Sequence, residues 1–141
     1  MKLAVLHGPN LNLLGTREPN LYGSETLESM NISITQLAQE LGSQVSFVQS
    51  NHEGELVDWI HNVDAVGLIV NAAAYTHTSV AIRDALIARA LPFVEVHMTN
   101  IYARELFRHQ SYLHDIAIGV VCGFGVNSYL LGLRAIYSYL R

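Results

Sequence analysis

Apolar runs short enough to be single strands alternate with amphipathic stretches from one end of the chain to the other. That alternation is the pattern of a parallel sheet with helices on both faces, because each crossover between parallel strands needs a connection long enough to hold a helix. Strands are expected at residues 3–7, 44–48, 65–70, 92–97 and 116–122. The first helix has the plainest pattern: Ser24 is a suitable N-cap, Glu25 and Glu28 complement the helix dipole, and Leu27, Met30, Ile34, Leu37 and Leu41 recur every three or four residues before Gly42 ends it. Further helices are expected over 55–63, 79–89 and 126–140. Five strands in this arrangement imply an α/β fold, a flavodoxin-like five-stranded parallel sheet with helices on both faces, formed by residues 1–141 as one domain. In such sheets ligands bind beyond the carboxyl ends of the strands, so the chemistry is sought there.

Composition narrows the partner. Only 14% of the residues are charged and the net charge is −4, which argues against a nucleic-acid surface or a polybasic membrane patch. No apolar run approaches the roughly 20 residues that cross a bilayer. The single cysteine excludes an internal disulfide, and the N-terminus runs straight into a strand without a signal-peptide pattern, so a cytoplasmic protein is expected. Its partner is a small molecule or another copy of the chain. Asn31-Ile32-Ser33 has the form of a glycosylation acceptor but lies within the expected first helix, where it reads as chance.

The positions just past the strands are polar for so apolar a chain: Asn10 and Asn12, then Ser50, Asn51, His52 and Glu53, then Asn71 and His77, then His97, Thr99 and Asn100. Amides and hydroxyls suit a polyhydroxylated ligand. The stretch "HGPNLNLLG" has neither the glycine spacing of a dinucleotide site nor a P-loop lysine, and the acidic cluster of a phospho-receiver is missing. The only lysine, Lys2, starts the first strand at the end away from the expected site, which excludes imine chemistry there. Cys122 reads as a buried small hydrophobe rather than a nucleophile. The histidines are scattered without metal-ligand spacing, so neither metal nor cofactor is expected.

General acids and bases remain. Glu95 and His97 are two apart on one strand and share a face; a buried carboxylate needs a partner, and one beside His97 favours imidazolium. Spacing leaves two readings open, a satisfied core histidine or a general acid. The segment "GTREPNLYG" presents Arg17 and Tyr22 between two glycines. A cation about 4 Å from a phenol, at an effective dielectric near 20, contributes on the order of 4 kcal/mol, enough to bring a tyrosinate within reach of neutral pH. A catalytic lid and a plain surface loop fit that spacing equally.

Taken together, "GPNLNLLGTREPNLYG", "SNHEGELVDWIH", "NAAAYTHTSVAIRDAL", "EVHMTNIYARELFRH" and "GFGVNSYLLGL" resemble type II 3-dehydroquinate dehydratase, in order, from the first strand to the last helix. The resemblance implies a cofactor-free lyase that converts 3-dehydroquinate to 3-dehydroshikimate by anti elimination through an enolate, assembled as a homododecamer of trimers. It implies Tyr22 as the base at C2, Arg17 as the cation that keeps it ionised, His97 paired with Glu95 as the acid for the C1 hydroxyl, and Asn10 at the enolate. It further implies Asn71, Met98 and Thr99 at the substrate carboxylate, His77 and Arg108 at the ring hydroxyls, and Asp84 reaching a neighbouring subunit's site. Thr99 stands where serine is common, and Gln110 and "VNSY" also depart from commoner versions without touching a catalytic position. Arg83, Arg89 and Asp84, and likewise Arg104 with Glu105, read equally as solvated faces. The same reaction serves aromatic biosynthesis or quinate breakdown. The competing class is a non-catalytic flavodoxin-like module that binds a polar metabolite.

Overall fold

Residue parity along the strands divides the core in two. A computed structural model describes residues 1–16 and 24–141, so the expected pair Arg17 and Tyr22 lies outside the described residues. Five strands, β1 (Lys2–His7), β2 (Gln44–Gln49), β3 (Gly67–Asn71), β4 (Phe93–His97) and β5 (Gly119–Cys122), form one sheet in the order β2-β1-β3-β4-β5, and every pairing is parallel. Four helices cover it: α1 (Leu27–Glu40), α2 (Glu53–Asn62), α3 (Val80–Arg89) and α4 (Val126–Leu140).

Because successive strand residues point to opposite faces, Leu3, Val5, Ile69, Val94 and Val96 meet Met30 and Ile34 of α1 and Leu133 and Ile136 of α4. Their neighbours Ala4, Leu6, Leu68, Val70 and Phe93 meet Leu56 and Ile60 of α2 and Ile82 and Leu86 of α3. Each fully buried aliphatic or aromatic side chain contributes about 1.5–3 kcal/mol, so two such layers hold the central strands, which are buried throughout. Gly132 lets α4 lie against β4, since a Cβ there would come within 2.8 Å of Val96 Cγ2.

Some boundaries differ from expectation. The cap of α1 is Thr26 and not Ser24: its hydroxyl accepts from Ser29 N–H while Ser29 Oγ accepts from Thr26 N–H, a reciprocal box that outcompetes the earlier serine. The helix ends as expected, with Gly42 at positive φ. β5 begins at Gly119 because Ile116 and Ala117 donate back to the Leu113 carbonyl in a turn. α2 starts earlier than expected, at Glu53, with Glu53 and Glu55 in its first turn. Cys122 is half-buried on the edge strand rather than buried. Asn31 lies inside α1 with its side chain bonded to His7, which removes it from the extended geometry a glycan acceptor needs.

Candidate active site

The carboxyl ends of β1, β3 and β4 open onto a polar cavity of about 170 Å³, the location expected where strand order reverses on either side of β1. Gly8 precedes two of its lining residues, Pro9 and Asn10. A Cβ there would sit 2.3 Å from the Ala72 carbonyl oxygen, and the Gly8 N–H bonds the Asn71 carbonyl at 2.8 Å. This close approach turns Pro9 and Asn10 over the cavity. Asn10 takes a left-handed conformation, φ 68°, that asparagine tolerates better than most residues, and its N–H is held by Asn51 Oδ1 at 2.9 Å. Among the polar strand-end positions, Asn51 therefore supports the site's backbone. Ser50 instead binds Glu55 and the His52 N–H, and Asn100 caps the turn at Tyr102.

The cavity is lined by Asn10, Asn71, His77, His97, Met98, Thr99 and Arg108, together with Pro9, Leu11, Ala73, Ala74, Ile101 and Arg104. Asp84 is exposed on α3 and does not line its own chain's cavity. Arg104 does line it, with its side chain 16% exposed and Nη1 3.4 Å from Thr99 Oγ1, so the solvated-face reading of Arg104 is corrected. Arg108 is steadied by Glu105 at 2.9 Å. Two guanidinium groups thus face one small polar space, which suits an anionic ligand. Arg83 and Arg89 are also engaged: Arg83 pairs with Asp115, and Arg89 donates to the carbonyls of Ile60, His61 and Val63 at the end of α2.

Glu95 and His97 point to the same face of β4, as their spacing requires, and His97 Nε2 lies 2.5 Å from Glu95 Oε2. Two further groups complete the carboxylate. Ser111 Oγ donates to it at 3.0 and 3.1 Å, and His114 Nδ1 lies 2.8 Å from Oε1. Burial pushes the Glu95 carboxyl up, but the hydrogen bonds and charge of His97, followed by those of His114, outweigh it and hold the group below the usual glutamate range. With Nε2 committed to Glu95, His97 has only Nδ1 left to offer the cavity. Nδ1 has no partner among the described residues.

His77 stacks on His97 with ring centroids 6.3 Å apart, and its Nδ1 donates to the Gln110 carbonyl at 2.7 Å. Because the main chain makes that bond, the Gln110 side chain is free to vary. Burial lowers the His77 pKa, opposed by the Gln110 bond and assisted by the charge of His97 and Arg108. Its Nε2 is then an acceptor.

Behind the cavity lies a second buried chain. His7 Nε2 is 2.8 Å from Asn31 Oδ1, His7 Nδ1 is 2.9 Å from Tyr129 Oη, and Tyr129 Oη accepts from Asn71 Nδ2 at 2.8 Å. Asn71 Oδ1 accepts the Ala73 N–H at 3.1 Å. Sequence reasoning passed over His7, Asn31, Tyr129, Ser111, His114 and the placement of Arg104. One signal was available: Tyr129 falls on the same stripe of α4 as Leu133 and Ile136, where a phenol hydroxyl requires a buried partner. His114 and Ser111 lie in irregular chain, where no periodicity points to Glu95.

The comparisons agree with this architecture. The family model described as dehydroquinase class II matches residues 1–137. A 3-dehydroquinate dehydratase from Prochlorococcus marinus is 57% identical over 143 residues, covering 100% of this chain and 99% of its own length. Another, from Gloeothece citriformis, is 60% identical over 141 residues and covers 99% of this chain and 93% of itself. The crystal structure of a type II dehydroquinase from Butyrivibrio crossotus superposes with a TM-score of 0.93 at 38% identity, covering 96% of this chain and 97% of its own. A match of this length, together with a shared fold and a polar cavity at the sheet's switch point, establishes that the chain belongs to the class II dehydroquinase family.

Proposed function

We propose that the protein dehydrates 3-dehydroquinate to 3-dehydroshikimate in the shikimate pathway. The observation that carries the reading is convergence within a full-length family match: Asn10, Asn71, His77, His97, Met98, Thr99 and Arg108, far apart in the chain, line one cavity. Its polar lining and two guanidinium groups suit a small hydroxylated carboxylate.

The residues divide the work as follows. Tyr22, kept ionised by Arg17, takes the proton from C2, and the electron pair moves into the carbonyl to form an enolate stabilised beside Asn10. The enolate collapses, the C1–O bond breaks, and the departing hydroxyl takes a proton from His97 Nδ1 and leaves as water. Glu95, itself held by Ser111 and His114, orients the ring so that Nδ1 faces the cavity. Asn71, Met98 and Thr99 hold the substrate carboxylate, His77 and Arg108 meet the ring hydroxyls, and Arg104 adds positive charge at the same wall. Every group in this sequence belongs to the chain.

Residues 1–141 act as one domain in the cytoplasm, assembled as a homododecamer of trimers in which Asp84 completes a neighbour's site. Leu106, Phe107 and Phe124, exposed at 83%, 66% and 62%, support burial against other copies. No helix among the described residues is long and apolar enough to cross a membrane.

Mixing purified protein with 3-dehydroquinate tests the reading through the rising ultraviolet absorbance of the conjugated enone product. Activity insensitive to borohydride and to chelator is expected. Folded, assembled protein that binds the substrate without forming product would instead make it a metabolite-binding module.

A further inference from the structure

The buried chain behind the cavity has a direction, and the groups at its two ends set it. Ala73 N–H can only donate, so the Asn71 atom that it meets is the carbonyl oxygen and the atom facing Tyr129 is Nδ2. Tyr129 Oη accepts that bond and spends its own proton on His7 Nδ1. His7 is then the neutral tautomer protonated at Nε2, which donates to Asn31 Oδ1. A phenol oxygen can accept twice, so the far end is needed too: Asn31 Oδ1 on α1 can only accept, His7 Nε2 must donate to it, and the bare Nδ1 of a neutral His7 takes the Tyr129 proton.

Parity explains why these groups meet. His7 and Asn71 are register partners on β1 and β3, and both continue the rows that face α1 and α4. The environment supports neutral species throughout. His7 and Tyr129 are each 0% exposed. Burial lowers the His7 pKa to about 4, against the Asn31 bond, and raises that of the Tyr129 phenol, against the Asn71 bond. Phe47 stacks nearly parallel to the His7 ring, with centroids 6.0 Å apart.

We infer that Tyr129 and His7 are positioning residues for the reaction: through Asn71–Tyr129–His7–Asn31 they lock the Asn71 carboxamide so that its remaining N–H, and not its carbonyl, is available to the substrate carboxylate. The inference rests on the reading of Asn71 as a carboxylate ligand. A reversed amide would set a carbonyl oxygen against an anion. Reversal fails at both ends of the amide: the flipped group would aim Nδ2 at the Ala73 N–H, donor against donor, and Oδ1 at a Tyr129 oxygen whose proton is engaged by His7, acceptor against acceptor.

Steady-state kinetics with 3-dehydroquinate separate the roles. Tyr129→Phe deletes the acceptor for Asn71, and His7→Leu deletes the acceptor for Tyr129; each is expected to raise KM about tenfold while kcat changes less, a loss comparable to one hydrogen bond to a charged group. His7→Asn, whose Oδ1 replaces Nδ1 as an acceptor, is expected to restore KM to within about threefold of the parent, well inside the tenfold that 1.4 kcal/mol represents. In an Asn71→Ala background, Tyr129→Phe is expected to add nothing to KM, which a merely structural role would not produce. If Asn71→Ala raises KM but Tyr129→Phe and His7→Leu do not, the inference falls and the role of Asn71 stands. If Asn71→Ala leaves KM unchanged, the carboxylate reading falls and takes the inference with it. ¹⁵N spectra of histidine-labelled native enzyme give a check that does not depend on any variant folding: His7 protonated at Nε2 alone is expected near neutral pH, and a proton on Nδ1 would overturn the polarity of the chain.

Discussion

His7 and His97 end two strands of the same sheet, β1 and β4, and are 0% and 4% exposed, yet they face opposite layers and meet opposite partners. His7 continues the row of Leu3 and Val5 toward α1 and α4, where it finds an amide and a phenol. His97 continues the row of Phe93 toward the other layer, where it finds a carboxylate. Burial alone favours a neutral imidazole, and at His7 nothing charged opposes it. His97 instead meets Glu95, a carboxylate held below the usual glutamate range. The difference shows that depth in the core does not decide what a histidine does; strand parity chooses the partner, and the partner sets the role.

The sharpest break of the comparison is His97→Gln. It removes a proton donor with one nitrogen aimed into the cavity, so kcat is expected to fall about a thousandfold, within the range for general acid catalysis. KM should move little, because the carboxylate ligands remain. A kcat within tenfold of the parent would remove His97 from the mechanism and make it a second core histidine like His7.

The next effect is on stability and belongs to His7. Its folded pKa of about 4 lies below the unfolded 6.5, so the unfolded chain binds the extra proton between those values. Stability is therefore complete above pH 6.5, declines as pH falls, and reaches its full loss, on the order of 3 kcal/mol, below pH 4. Half-buried His77, also lowered, adds a smaller loss in the same direction, and Glu95 adds its own only at more acid pH, below its unfolded pKa. Denaturant midpoints between pH 7 and 4.5 should show the slope in the parent and a flatter one in His7→Asn. Equal slopes would mean that His7 is not the buried neutral group.

Glu95→Gln erodes the other side of the comparison by giving His97 a neutral partner too. The amide keeps an acceptor for Ser111 but cannot stabilise imidazolium, so kcat is expected to drop about a hundredfold with KM nearly constant. An unchanged kcat would leave the Glu95–His97 pair as core architecture.

These contrasts mark where the sequence was legible. Strand identity, helix periodicity and the sharing of a face by Glu95 and His97 follow from periods of 2 and 3.6 and were readable locally. The α1 start was misplaced at Ser24 because a single capping side chain was weighed without the reciprocal Thr26–Ser29 box. Asn71 stands out in the sequence as a polar residue at a strand end and takes its role from the resemblance, whereas Tyr129 falls in a segment that matches no catalytic position; the bond between them joins residues 58 apart, and no local pattern records it. His114 and Arg104 were missed for a related reason, since both sit in irregular chain between β4 and β5 whose path depends on the turns at Ile101 and Leu106. Arg17 and Tyr22 lie outside the described residues, so for them the resemblance remains the support.

The smallest expected effect lies one residue beyond Met98. Thr99, 9% exposed, lines the cavity with its hydroxyl 3.4 Å from Arg104 Nη1. Thr99→Ser keeps that oxygen and removes one methyl, which relaxes the χ1 restriction of a β-branched side chain. Loss of the methyl's packing, worth about 0.8 kcal/mol per buried carbon, opposes the gain in rotamer freedom, so kcat/KM is expected to stay within about threefold of the parent. Thr99→Val is the matched control, since it keeps the branched shape and loses only the hydroxyl. A KM rise confined to the valine variant assigns the effect to the oxygen; a rise confined to the serine variant would assign it to the shape of the wall and leave carboxylate binding to Asn71 and the main chain.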